Sequence, residues 1–114
     1  MTRRAAVFAM LLVLLSLPAL AQKDQDMRNV TGKVLSAQDQ PLTKAVVHLK
    51  NTKTLVIKTY ITEPDGTYRF SALSPNVDYE IYAEKDGSHS YTKTLSAFDN
   101  RKQLTVTLKI HSEK

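Results

Sequence analysis

Residues 62–73 read Thr-Glu-Pro-Asp-Gly-Thr-Tyr-Arg-Phe-Ser-Ala-Leu, a turn followed by a strand. In Glu63-Pro64-Asp65-Gly66, proline presets φ for the first central turn position, aspartate can bond its own backbone, and glycine accepts φ > 0. Beyond the turn, Tyr68 and Phe70 point one way and Thr67, Arg69 and Ser71 the other. Leu73 comes just before Ser74-Pro75-Asn76, a second loop cluster. Tyr79, Ile81 and Ala83 then share one face, with Glu80, Tyr82 and Glu84 opposite. Two alternating strands joined by a short connection predict an antiparallel sheet with one buried face.

The same period runs outward in both directions. Val30, Gly32 and Val34 oppose Thr31, Lys33 and Leu35, and a glycine inside a strand marks the close approach of another backbone. After the turn at residues 37–41, with Leu42 as a plug, Ala45, Val47 and Leu49 are expected inward and Val46, His48 and Lys50 outward. From Leu55 to Thr62, Leu55, Ile57, Thr59 and Ile61 lie on one side, while Val56 and Tyr60 make the other side apolar too. At a sheet edge this segment could pair with another chain, with Lys53 and Lys58 as charges against uncontrolled pairing. Tyr91–Leu95 follows the Asp86-Gly87-Ser88 turn, and Gln103–Ile110 alternates most cleanly of all. No sustained 3.6-residue pattern exists after residue 21. Seven short strands with turn signals predict an all-β, seven-stranded antiparallel sandwich.

Residues 1–21 form a separate object: Arg3 and Arg4, an apolar run from Ala5 to Leu17 broken only by Ser16, Pro18, then Ala19-Leu20-Ala21. This is the pattern of a helical secretory signal peptide cut after Ala21, with Ala19 and Ala21 as the small cleavage-site residues. The rival, a membrane anchor, needs roughly 20 apolar residues, and no basic cluster directly follows. Three segments are thus expected: 1–21 signal peptide, 22–28 disordered, and 29–111 a sandwich domain, secreted or periplasmic and without a membrane span after cleavage. Without cysteine, such a domain must be held by its apolar core, where many small secreted domains lean on disulfides. Past residue 21 the chain keeps 14 of its 16 Lys+Arg and all 11 acidic residues, a net charge of +3. The charges are interspersed, which argues against a nucleic-acid partner.

The residues also carry a family resemblance. Val30-x-Gly32-x-Val34, Gln40-Pro41-Leu42 and Ala45-x-Val47-x-Leu49 resemble the start of the carboxypeptidase regulatory-like domain. Thr62-Glu63, Asp65-Gly66, Tyr68-Arg69-Phe70, Leu73 and Tyr79 resemble its middle, and the alternation to Ile110 its last strand. The resemblance implies a transthyretin-like (prealbumin-like) Greek-key sandwich acting as an accessory folding or interaction module. The family's common Thr-Asp before the turn is Thr62-Glu63 here. Gly32, Ala45, Asp65, Gly66, Tyr68, Phe70, Leu73 and Tyr79 are the residues expected to build it, and Tyr79 resembles the tyrosine that braces a sandwich corner.

No catalytic, cofactor or metal-binding constellation is legible. His48, His89 and His111 have no carboxylate three residues on, so the H-x-x-E pair of a zinc carboxypeptidase is missing; a zinc site would have to assemble across strands. The C-terminal Lys109-Ile110-His111-Ser112 departs from the Tyr-Arg-Gly-Ser-type ending of transthyretin-like hydrolases. The two-Tyr, two-His set of ring-cleaving dioxygenases cannot be assembled, and Asp65, Asp78, Asp86 and Asp99 form no calcium run. The expectation is a non-enzyme whose partner is an envelope or extracellular protein. The alternative is a carbohydrate or small-ligand module using outward Tyr60 and Tyr82 with Val56 nearby; a transthyretin-like hydrolase is the weaker alternative.

Overall fold

A computed structural model describes residues 27–111; the expected signal peptide with Ala19 and Ala21, and most of the 22–28 segment, lie outside them. The elements are β1 (Arg28–Leu35), β2 (Val46–Asn51), β3 (Ile57–Ile61), β4 (Thr67–Leu73), β5 (Tyr79–Lys85), β6 (Ser88–His89), β7 (Lys93–Leu95), β8 (Gln103–Thr105) and β9 (Leu108–Lys109). One sheet runs β4-β1-β8, with β9 also on β1; the other runs β3-β2-β5-β6, with β7 also on β5.

Nine segments reduce to the seven strands expected. β6 and β7 both pair antiparallel with β5. Between them Ser90 exchanges bonds with Ala83: the Ser90 amide donates to the Ala83 carbonyl, and the Ala83 amide donates to Ser90 Oγ. β8 and β9 lie on β1 in one continuous register, Thr31 facing Thr105 and Val34 facing Leu108. That ladder is parallel, where the sequence pattern suggested antiparallel pairing throughout. Periodicity reports which face is buried and carries no information on strand direction. The expected Tyr91–Leu95 strand is shorter too, because Tyr91 is exposed and only Lys93–Leu95 pairs.

The core lies between the sheets. Val30, Val34, Val47, Leu49, Tyr68, Leu73, Ile81 and Leu108 are its most fully buried large side chains, and Ala45, Phe70 and Tyr79 are buried beside them. The Glu63–Gly66 turn closes with the Gly66 amide donating to the Glu63 carbonyl (2.8 Å). Gly66 sits at φ +82, and a side chain there would meet Leu42 N and Val34 O at about 3 Å. Asp65 Oδ1 accepts from the Thr67 amide and hydroxyl, which hold its carboxyl below the ordinary carboxylate range. Tyr79 Oη accepts the Ser74 amide (2.9 Å) and so ties the strand to its preceding corner.

Gly32 marks a close approach. A Cβ placed there would lie 1.7 Å from the Val106 carbonyl oxygen and 2.8 Å from Tyr68 Oη. That carbonyl is turned across the glycine to accept from the Tyr68 hydroxyl (2.7 Å). This diversion is where the last strand divides into β8 and β9. Burial in the same place pushes the Tyr68 phenol far above its ordinary value.

Arg28 overturns the expected boundary. Expected within the disordered 22–28 segment, it opens β1 and is 2% exposed. Its guanidinium donates to the carbonyls of Ser96, Asp99, Ser74 and Val77 at 2.8–3.3 Å. One side chain thus pins the β4–β5 and β7–β8 loops together at one pole of the sandwich. Its Nε has no partner among the described residues.

Candidate interaction surface

The surface that stands out follows from the β2–β3 hairpin. Asn51 Oδ1 accepts from the amides of Lys53 and Thr54, and the Leu55 amide returns to the Asn51 carbonyl. To close this turn Leu55 takes φ +65, a conformation L-residues other than Asn and Asp rarely adopt. Leu55 gains no burial in return: Leu55, Val56, Ile57 and Ile61 are each more than half exposed.

Among the described residues β3 is an edge strand, paired only with β2. The Thr62 amide donates to Ala45 and the Asn51 amide to the Val56 carbonyl. These bonds fix the parity of the ladder: Val56, Lys58, Tyr60 and Thr62 direct their backbone groups to β2. Ile57, Thr59 and Ile61 direct theirs to the open side. The same three residues are exposed. An apolar strip and a row of free backbone donors and acceptors therefore coincide, the configuration soluble proteins ordinarily blunt.

Tyr60 departs from its expected orientation. It was expected outward, and it instead turns toward the core, packing edge-on against Phe70 with ring centroids 6.1 Å apart. Its hydroxyl donates to Glu63 Oε2 (2.6 Å), a bond that raises its pKa. The reason is register: Tyr60 lies opposite the buried Val47, so the strand's inner face is set by β2. Val56 is exposed beside the hairpin turn.

Tyr82 lies on the outer face of the second sheet, half-buried under His48, the rings stacked at 4.7 Å. His48 Nε2 is 3.2 Å from Glu84 Oε1 but is shielded from solvent and has no aligned hydrogen bond, so the two groups are close without the geometry of a bond. His48, Tyr82, Lys50, Glu80, Ile57 and Thr92 line a shallow groove of about 220 Å³ that opens onto the β3 strip. Tyr60 and Tyr82 therefore do not form one aromatic platform. Among the described residues the most exposed aromatics are Tyr91 and Phe98, the latter 96% exposed on the β7–β8 loop; neither is among the residues expected to form a binding surface.

Two larger depressions lie elsewhere. One of about 460 Å³ on the outer face of the first sheet is lined by Thr31, Lys33, Thr67, Arg69 and Thr105, with Tyr60 and Glu63 at its rim. The other, about 420 Å³, sits at the Arg28 pole with Pro75, Asn76, Asp99 and Lys102. The three histidines are dispersed: His48 on β2, His89 on β6, and His111 against the Tyr91 ring at 3.9 Å. Among the described residues no three His, Cys, Asp or Glu side chains come together as metal ligands.

Residues 29–109 match the family described as Carboxypeptidase regulatory-like domain. No curated protein matches the chain. Similar solved structures include the dioxygenase domain of a dioxygenase carbohydrate-binding protein fusion from the cellulolytic bacterium Streptomyces sp. SirexAA-E. That match has 16% identity and a TM-score of 0.53, covering 73% of this chain and 78% of that one. The major pilin subunit BcpA of Bacillus cereus is 13% identical with a TM-score of 0.58, over 76% of this chain and 30% of the pilin. Chlorocatechol 1,2-dioxygenase from Pseudomonas putida is 12% identical with a TM-score of 0.58, over 75% of this chain and 60% of the enzyme. At such identities the likeness is one of fold, an all-β sandwich shared by proteins of different activities.

Proposed function

From its membership of the carboxypeptidase regulatory-like domain family, to which this chain belongs, we propose that it is a non-enzymatic module for protein–protein interaction in the cell envelope or outside the cell. The observation that carries this reading is the β3 edge: four exposed apolar side chains beside backbone groups with no partner among the described residues. Such a strip binds another polypeptide through main-chain pairing, with alternate side chains supplying selectivity. The neighbouring groove at His48 and Tyr82 widens the apolar contact.

The compartment belongs to the same proposal. Residues 1–21 direct export and are removed after Ala21. The mass and N-terminal sequence of the protein recovered from its cells test this; a chain retaining Met1 counts against it.

The interaction reading is tested by placing a photo-crosslinking side chain at residue 57 and, as a control, at Ser71 on β4, the edge strand of the other sheet. Irradiation in cells is expected to give protein adducts from position 57 and few from position 71. Equal yields, or none from 57, would refute it. The glycan alternative loses support from the inward turn of Tyr60, and no specific observation favours it.

A further inference from the structure

We propose that the occupant of the β3 edge is a second copy of this chain, paired antiparallel about Thr59. This rests on the interaction reading above and names its partner.

The argument is the self-complementarity of Ile57-Lys58-Thr59-Tyr60-Ile61. An antiparallel copy centred on Thr59 sets Ile57 against Ile61 of the other molecule and Thr59 against Thr59. Those are the residues whose backbone groups face the open side, so about six main-chain hydrogen bonds form without disturbing β2. The exposed Ile57 and Ile61 become cross-strand partners in a two-fold interface.

Charge selects the same register. On the opposite side of the strand, Lys58 comes to lie beside Tyr60 of the second copy, whose hydroxyl is bonded to Glu63. The Lys58 ammonium has no carboxylate partner among the described residues, and this register supplies one twice over, by symmetry. Moving the register toward the hairpin turn sets Lys58 against Lys58, a like-charge pair. Moving it the other way leaves Ile57 unpaired. Lys58 thus acts as a register device as well as a guard against other pairings. Leu55, exposed in its unfavourable conformation at the flank of the strip, adds apolar surface to the joint.

A five-residue pairing is a small interface, near or below roughly 1,200 Å². The equilibrium is therefore sought at micromolar and higher concentrations, by analytical ultracentrifugation of the protein as purified from cells. The expected result is a reversible monomer–dimer equilibrium. Thr59→Pro should abolish it at an unchanged denaturant midpoint, because the Thr59 amide makes no bond to β2 or to any other described residue. Lys58→Glu should weaken it at least tenfold, and Lys58→Glu with Glu63→Lys should restore it. A wild type that stays monomeric into the millimolar range overturns the proposal, as does a dimer indifferent to Thr59→Pro or a charge swap that fails to rescue. Position-57 adducts containing only other proteins overturn the second copy while leaving the interaction reading standing; the absence of any adduct removes both.

Discussion

Gly32→Ala tests the packing at the point where both sheet geometry and side-chain chemistry converge. Gly32 does not need a positive φ; its constraint is space. The new methyl would sit 1.7 Å from the Val106 carbonyl oxygen and 2.8 Å from Tyr68 Oη, so the last strand must move by more than an ångström. That motion breaks the Tyr68 hydroxyl bond to Val106. Stranding a hydroxyl on a side chain that is 2% exposed costs about 1–3 kcal/mol. It also strains the bond from the Val106 amide to Thr31, worth about 1 kcal/mol. Replacing a strand glycine returns roughly 0.5–1 kcal/mol of chain entropy. The net expectation is a loss of about 2 kcal/mol, read as a lower urea midpoint at constant slope. Because most of the cost runs through the hydroxyl, Tyr68→Phe should already have incurred part of it, giving a coupling of about 1 kcal/mol in the double mutant. A loss below about 1 kcal/mol, or additivity within about 0.5 kcal/mol, would refute the reasoning.

Four further outcomes are expected. Arg28→Ala strands four loop carbonyls and should cost about 3 kcal/mol, with faster amide exchange confined to residues 74–78 and 96–102; unchanged exchange there would contradict the pinning role. Tyr79→Ala should cost about 3–5 kcal/mol and Tyr79→Phe about 1 kcal/mol in urea unfolding; a loss under about 1 kcal/mol for the alanine would contradict the burial of the ring. Leu55→Gly should raise stability by about 1 kcal/mol, because glycine adopts φ +65 without strain, and no gain would mean the leucine is compensated. Asp99 is bonded by Arg101, which lowers its pKa from 3.8 to about 2. The unfolded chain therefore takes up that proton first, so this contribution is complete above about pH 4 and lost as pH falls through 2; Asp99→Asn should flatten the unfolding midpoint over that window.

What was legible in the sequence follows from what periodicity measures. β2 and β5 are buried on one face, and their alternation placed Val47, Leu49, Tyr79, Ile81 and Ala83 inward, where the structure has them. β3 carries apolar residues on both faces, so alternation could not choose between them. Tyr60 turned inward because its cross-strand neighbour Val47 is buried, a fact of pairing that the segment itself does not contain. Arg28 was illegible for a different reason. Its partners are backbone carbonyls of loops 46 to 71 residues away, and carbonyls have no residue type to read. The break at Val106 is hidden inside an unbroken alternation from Leu104 to Ile110; the only trace of it lay at the other strand, in Gly32. The exposed strip was half visible: its residues could be named, but that β3 forms an edge is a property of the topology.

The parallel run of β8 and β9 beside β1 has a mechanical consequence. The chain enters the sandwich at Arg28, beside the start of β8, and leaves past Ile110, beyond the end of β1. Tension on the two ends therefore slides the first strand against the last along their common axis. The bonds at Asn29–Lys102, Thr31–Val106 and Leu35–Ile110 are loaded together in shear, whereas a ladder peeled from one end gives way bond by bond. Forced unfolding is governed by the unfolding barrier, and this arrangement puts a large part of the first sheet into that barrier. A domain stretched between two attachment points would resist pulling far better than its small size suggests.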